Sequence, residues 1–486
     1  MADLSPASDQ SPDEHGEPPV IRSDALASRQ RILQAARMLI GDRHVTMAEL
    51  AAAAKVGRST LYRHFATRRA LERALADLES GDSGGPSAVS GRVATMPFRA
   101  PGQLGRESPM TLEVTRVLDE VPPHLVADQL VAEARRVAGV AVALYVADID
   151  GSRLLRLAGS EEFPDELRGA PALGPEIVPE GLLEFHERLQ RQLPGCVTEP
   201  LWLRGRVTGL LLCVGTPLGE LADIAKQGAA ALELANDYTD YVEAARRRKP
   251  TTPAAEVQQH LFPPRIARIA GAQLAGALLP SYEVGGDWFD FVENRDGAWL
   301  AIADAAGTGP TAAGLGAAAL GALRSARRSG GDLEGALTAV DETVRHLDNE
   351  DFYVTALLAR WRAATATLTW ANCGHPPCFL VDPDGNLAEL GGSQHPALGA
   401  GEQGLKFKLS DRQLRSGERL ILVTDGIVER KMEGGGTFGV EGIKQALERA
   451  ENPTAPSTVM AIQQAVTECW REPLEDDATV VVMAVE

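Results

Sequence analysis

The sequence predicts a multidomain chain, with an all-α module first and two α+β domains after it. Three observations carry this. Between residues 26 and 79 the apolar positions recur at helical spacing. From about residue 111 onward, short apolar runs bounded by turn residues alternate with helical stretches. Between the two lies Ser80-Gly81-Asp82-Ser83-Gly84-Gly85-Pro86, and prolines and glycines continue to Gly105, the composition of a flexible linker over residues 80–110.

A length of 486 residues is enough for three domains of ordinary size, and at 44% hydrophobic residues each can bury a core. The net charge of −19 excludes one uniform nucleic-acid-binding surface but leaves room for a small basic module. Five cysteines without ligand spacing (Cys196, Cys213, Cys373, Cys378, Cys469) point to a reduced, cytoplasmic setting with neither a disulfide framework nor a zinc site. No apolar run reaches membrane-span length. Residues 1–25 are polar, acidic and proline-containing, which predicts a disordered tail and no signal peptide.

In residues 26–79, Ile32, Leu33, Ala36, Leu39 and Ile40 share one helical face. Thr46 is placed to cap 47–54, with Glu49 three residues on as in a capping box. Lys55-Val56-Gly57 supplies a turn with a glycine suited to left-handed backbone, and Arg58-Ser59-Thr60-Leu61-Tyr62-Arg63-His64-Phe65 forms a second short helix. This pattern resembles the TetR-type helix-turn-helix. The resemblance implies that Arg58, Ser59 and Thr60 face base edges and that Tyr62 and His64 contact backbone or neighbouring bases. Eleven Lys and Arg against six Asp and Glu between Arg22 and Glu79 suit phosphate contacts. The alternative is a helical interaction module without DNA.

Residues 111–220 open with a helix near Pro123–Val137. A strand at Val140–Val146 turns through Asp148-Ile149-Asp150-Gly151 into Leu154–Leu157, and a second hairpin turns at Arg204-Gly205. This order resembles a GAF sensor domain, which implies a pocket for a small molecule or signal; the alternative is a domain that only dimerises and spaces its neighbours. Over residues 221–254, Leu221, Ile224, Gly228, Ala231, Ala235, Tyr238, Val242 and Ala245 alternate three and four apart. That predicts a coiled-coil helix and a parallel homodimer, against the alternative of a helix packed on its own domain. Arg246-Arg247-Arg248-Lys249-Pro250 ends it with a basic patch and a break.

Residues 255–486 carry aspartates at the ends of apolar runs: Gly285-Gly286-Asp287, Ile302-Ala303-Asp304, Val423-Thr424-Asp425 and Asp476-Asp477. Strand ends on a rigid scaffold bring such residues to one point. Clustered carboxylates repel unless cations hold them, and oxygen donors without Cys or His suit magnesium or manganese. With Ala371-Asn372-Cys373-Gly374-His375-Pro376-Pro377 and Gln259-His260-Leu261-Phe262-Pro263, the order resembles the metal-dependent (PPM) serine/threonine protein phosphatases of the SpoIIE branch. The resemblance implies two antiparallel sheets packed face to face with helices outside. It further implies two Mn2+ or Mg2+ ions: Asp304 bridging them, the Ala305 carbonyl as a further ligand, Asp425 and Asp476 on one ion and Asp287 on the other. Gly286, Gly307, Thr308 and Asp477 would shape the surroundings. Two departures bear on the proton donor to the leaving oxygen. Relatives carry histidine or lysine where Thr308 stands, and the classical branch carries histidine where Ala306 stands.

The function so implied is a signal-regulated phosphatase acting on a phosphoprotein, by family an anti-anti-sigma factor. Signals would reach the acids through Leu261 and Phe262 at the lead-in to the domain. The rival is a DNA-binding transcriptional regulator whose phosphatase-like domain is a degenerate sensor or scaffold.

Overall fold

The computed structural model describes residues 31–37, 50, 52–56, 120–279, 285–347, 351–450 and 452–486. The chain divides into two compact units, Met1–Pro97 and Phe98–Glu486. In the first, 31–37 is helical with Ile32, Leu33 and Ala36 buried, and Leu50 and Ala54 are buried as well. Lys55 itself takes the left-handed conformation, at φ 53°. The tail 1–25, the linker 80–110 and Arg58, Ser59, Thr60, Tyr62 and His64 lie outside the described residues.

The second unit begins with a central domain. After a 3-10 turn at Pro123–Leu125 come α1 (Val126–Ala138), β1 (Val142–Ala147), β2 (Arg153–Gly159), β3 (Glu166–Arg168), β4 (Ala172–Leu173) and β5 (Glu176–Ile177). Then follow α2 (Leu182–Gln192), β6 (Cys196–Leu203), β7 (Arg206–Val214) and α3 (Ala222–Asn236). The strands form one sheet in the order β3-β2-β1-β7-β5-β4, with β6 paired to β7. α1 and α3 cover one face through Leu130, Ala134, Ile224 and Leu232, and α2 packs Phe185 and Leu189 on the other.

The continuous helix expected over residues 221–254 is broken. α3 ends at Asn236, and a separate short helix α4 (Tyr241–Ala245) follows. Leu221, Ile224, Gly228, Ala235 and Val242 are buried, and the leucine, isoleucine, alanine and valine lie in the domain's own core, while Tyr238 is 80% exposed. The three-four spacing therefore marks an amphipathic face whose partner is the adjoining sheet and α1; a Cβ on Gly228 would lie 2.4 Å from the Leu130 side chain. Nor is the arginine run a free basic patch. Arg246 pairs with Glu243 at 2.8 Å, Arg247 with Glu243 at 3.0 Å and Glu256 at 2.7 Å, and Arg248 with Asp148 and Asp150. The Arg247–Glu256 pair joins the end of the central domain to α5 (Pro253–Leu261), whose amino end Thr252 caps by accepting the Ala255 N–H at 3.2 Å.

The carboxy-terminal domain continues with β8 (Ile266–Ile269), β9 (Ala272–Leu279), β10 (Trp288–Asn294), β11 (Gly297–Ala305), α6 (Gly309–Arg328), α7 (Leu333–Arg345), β12 (Val354–Arg362) and β13 (Thr367–Cys373). After these come β14 (Phe379–Val381), β15 (Leu387–Glu389), β16 (Gln394–His395), β17 (Ser410–Gln413), β18 (Arg419–Val423), α8 (Asp425–Val428), α9 (Gly439–Arg449), α10 (Ala455–Glu468) and β19 (Ala478–Val485). One sheet runs β10-β11-β12-β13-β16 with β17 on β13, and the other β15-β14-β18-β19-β9-β8. Their inner faces meet through Leu274, Phe289, Leu300, Leu357, Leu422 and Met483, while α6 and α7 cover one outer face and α9 and α10 the other. This is a two-sheet α+β sandwich.

Asp290, the second acid of Asp287-Trp288-Phe289-Asp290, has a structural task. It is buried and pairs with Arg324 at 2.8 Å and Arg327 at 2.7 Å, fastening α6 to β10. Removing it strands the buried Arg327 guanidinium, so Asp290→Ala is expected to cost about 3 kcal/mol in urea unfolding. An unchanged midpoint would show that the pair carries no net stability.

Candidate functional site: an acidic centre between the two sheets

β11 delivers Asp304 and Ala305, and the turn before β10 delivers Asp287. The start of α8, just after β18, delivers Asp425, and the residues just before β19 deliver Asp476 and Asp477. Register fixes the first two, because Trp288 pairs with Ala303 at the start of the β10–β11 ladder. Asp287 is buried at 2% exposure. Its Oδ2 accepts hydroxyl hydrogens from Thr424 at 2.7 Å and Thr479 at 2.5 Å, both from the opposite sheet. Thr424 Oγ1 in turn accepts the Thr479 N–H at 2.9 Å.

Asp477 is buried, Asp304 and Asp425 are half-buried, and Asp476 is exposed. The Asp477 carboxylate accepts the Gly285 N–H at 2.9 Å, while its own N–H donates to Asp476 at 2.8 Å. Asp477 thus ties the Gly285-Gly286 turn to the loop before β19. Gln258 of α5 adds a contact that the sequence did not disclose. Its amide donates to the Asp287 carbonyl at 2.8 Å and to Asp477 Oδ2 at 3.1 Å. Leu261 and Phe262, expected to carry regulation, pack beside this region: the Leu261 carbonyl accepts from Arg324 at 2.6 Å, and Phe262 meets Phe289 at a centroid distance of 4.8 Å.

Two glycines are required by space. A Cβ on Gly286 would lie 2.0 Å from the Ala305 carbonyl oxygen, and one on Gly426 would lie 1.9 Å from the Asp477 carbonyl oxygen. Gly307 is required by conformation, with φ 98° and open space around it. Thr308 is exposed in extended backbone before α6, and its side chain makes no capping hydrogen bond. Ala306 donates its N–H to the Tyr353 carbonyl at 3.0 Å. His375 is buried, with Nδ1 3.0 Å from the Thr355 hydroxyl; Thr355 in turn pairs with Asp304 across β11–β12. Its Nε2 has no hydrogen-bond partner, and burial pushes its pKa down to about 3. His375 is therefore a neutral packing residue near neutral pH.

The acids perturb one another. Burial raises the Asp287 carboxyl well above its usual range, Asp477 and Asp304 add to the rise, and the two threonine hydroxyls oppose it. Burial pushes Asp304 up to about 7, with Asp425, Asp476 and Asp477 adding to it and a hydrogen bond with Asp287 opposing it. Burial takes Asp477 to about 6, and burial with Asp476 and Glu429 raises Asp425. Among the described residues no group of three or more Asp, Glu, His or Cys side chains is arranged to hold a metal ion. The donors are nevertheless oxygen-only, and four of the five acids have raised carboxyl pKa values, which fits hard divalent cations.

Residues 294–486 match the family model described as Stage II sporulation protein E (SpoIIE). Residues 32–75 match the model of bacterial regulatory proteins, tetR family. The two matches lie in separate parts of the chain, the SpoIIE one in the carboxy-terminal domain and the tetR one in the amino-terminal unit. Among curated proteins it is similar to the phosphoserine phosphatase RsbU of Bacillus subtilis (strain 168), 24% identical over 230 residues, which is 47% of this chain and 68% of that one. Among solved structures it is similar to the SiaA-PP2C domain of Pseudomonas aeruginosa (22% identity, 53% of this chain, 100% of that chain, TM-score 0.42). It is also similar to the catalytic domain of the serine threonine protein phosphatase PstP in complex with 2 manganese ions (20% identity, 44% of this chain, 98% of that chain, TM-score 0.33).

Because Asp304 rises from 3.8 to about 7 on folding, the folded state binds its proton more tightly. The metal-free protein therefore loses stability as pH climbs through that window. With a chelator present, Tm is expected to fall more between pH 5 and pH 7.5 for the native chain than for Asp304→Asn. Parallel curves would remove the repulsion assigned to this carboxylate.

Proposed function

We propose that the chain is a signal-regulated protein phosphatase that removes phosphate from serine or threonine of a phosphoprotein, by family an anti-anti-sigma factor. The observation that carries this is the convergence of Asp287, Asp304, Asp425 and Asp476 at adjacent ends of two sheets in a SpoIIE-type domain. Asp304, the Ala305 carbonyl, Asp425, Asp476 and Asp287 are the residues that would hold two Mn2+ or Mg2+ ions. Such ions neutralise phosphate charge and supply an activated water. The protein's part is to fix the donors. Thr424 and Thr479 orient Asp287 by occupying one of its oxygens. Gly286 leaves room for the Ala305 carbonyl, and Asp477 holds the Gly285-Gly286 turn in place.

Around the acidic centre, no histidine among the described residues is assigned as donor of the leaving-group proton. Ala306 and Thr308 stand where relatives carry an acid, and His375 is buried and neutral. The exposed Gly307-Thr308 loop leaves that proton to solvent. This demand is greater for a serine alkoxide than for an aryl oxide, whose conjugate acid is much stronger. Regulation would run through α5, because Gln258 binds Asp287 and Asp477 while Glu256 on the same helix binds Arg247. Leu261 and Phe262 set the packing of that helix end. A signal in the central domain acts only by favouring one arrangement of this helix over another.

Asp304→Ala and Asp425→Ala are each expected to abolish manganese-dependent hydrolysis of an aryl phosphate while the protein stays folded by circular dichroism. Near-native rates in either purified variant would defeat the assignment. Thr308→His is expected to preserve or raise turnover, with the larger gain on a phosphoserine peptide than on the aryl ester.

A second activity is favoured by the tetR-family match over residues 32–75: DNA binding by the amino-terminal module. The full chain is expected to retard DNA at low salt and to lose affinity steeply as salt rises, since phosphate contacts release counterions. No retardation of any DNA pool at low salt would leave the module a protein-interaction unit.

A further inference from the structure

A cleft of about 270 Å³ lies where the central domain meets the start of the carboxy-terminal domain, lined in part by Arg206, Asn236, Arg246, Arg247, Phe262 and Arg265. Most of its charges are matched. Arg206 pairs with Glu176 and Glu233 at 2.6 Å each, Arg246 with Glu243, and Arg247 with Glu243 and Glu256.

Arg265 differs. It is 5% exposed and makes no direct ion pair among the described residues, although the Glu176 and Glu243 carboxylates act on it from a distance. One face of its guanidinium lies over Phe262 at 3.9 Å, and Nη2 donates to Gln259 at 3.1 Å. Nη1 has no hydrogen-bond partner. Burial lowers its pKa to about 10, so it remains cationic at neutral pH.

Two more side chains of the cleft carry unmatched polar atoms: the Arg246 Nε–H, a donor, and Asn236 Oδ1, an acceptor. A buried cation without a direct ion pair and buried polar atoms without partners are costly, and an anion relieves both. The planar fork of arginine suits an oxyanion, and an acceptor beside it suits a ligand hydroxyl or ammonium group.

We propose that this cleft binds a small organic oxyanion, a carboxylate or phosphate that also bears a hydroxyl or ammonium donor, with its charge on Arg265 and Arg246 and its donor on Asn236. Such a ligand bridges the central domain, through Asn236 and Arg246, to the residues leading into β8. It is distinct from the acidic centre, whose charge repels it, and its binding does not depend on the phosphatase reading.

The test uses the full chain at constant ionic strength set with chloride, titrated calorimetrically with lactate, propionate and inorganic phosphate. Saturable binding of lactate in preference to propionate is expected. Arg265→Lys keeps the charge but loses the fork, and should weaken it about tenfold. Asn236→Ala should abolish the preference for lactate while sparing propionate, which keeps the question open if Arg265→Lys fails to fold. Saturable phosphate binding without lactate binding would identify the phosphate form of the ligand. No saturable heat with any of the three anions, or equal affinities in the native chain and both variants, would overturn the proposal and leave the cleft filled by water alone.

Discussion

The carboxy-terminal domain depends on one buried carboxylate bonded across two sheets. Asp287 precedes a strand of one sheet, and the hydroxyls that hold it belong to Thr424 and Thr479 of the other. A hydroxyl to an ionised carboxylate is among the stronger hydrogen bonds a protein makes, and its strength grows in a dry surrounding. The same dryness makes the charge costly. The centre is therefore held between the favourable bonds to Asp287 and the repulsion among Asp287, Asp304 and Asp477. The backbone of the sandwich, rather than the acids themselves, keeps these like charges close.

Much of this was legible in the chain itself. Acids at the ends of apolar runs, glycines beside them and small residues opening a helix gave Asp287, Asp304, Asp425, Asp476 and Asp477 as one group. What could not be read were the neutral partners. Gln258 reaches Asp287 over 29 positions and Asp477 over 219, and nothing local marks a glutamine on a short helix as a bridge. Thr424 stood inside a recognised motif and Thr479 just beyond another, but a threonine in or beside a strand is ordinarily explained by β-propensity alone. Asp290, three positions beyond Asp287, could not be told apart from the site acids by sequence alone, yet it pairs with Arg324 and Arg327 and secures a helix.

The helix after the central sheet shows why periodicity names a face and leaves its partner open. Small and apolar residues three and four apart suit a second copy of the helix as well as they suit the adjoining sheet and α1. What decides is tertiary: the stretch breaks after Asn236, and its apolar face is consumed within the domain. The arginine run that follows likewise looked like a basic patch, yet Arg246, Arg247 and Arg248 each meet an acid. Through Arg247 and Glu256 the connection to the acidic centre is a jointed chain of ion pairs and a capped helix.

The position of β19 has a kinetic consequence. It lies between β18 and β9, and it pairs with β9 from Ala478↔Leu279 to Val485↔Ala272. Until residues 478–485 arrive during synthesis, β9 and β18 each present an open edge to solvent. About two hundred residues of intervening chain must be gathered before that ladder closes, which is the kind of distant pairing that folds slowly. The same strand brings Thr479, and the two residues before it bring Asp476 and Asp477, so the acidic centre is assembled in the step that seals the sheet. A nascent chain short of this point exposes adhesive strand edges and has no complete site, so chaperones would have their longest hold on the protein just before it becomes competent.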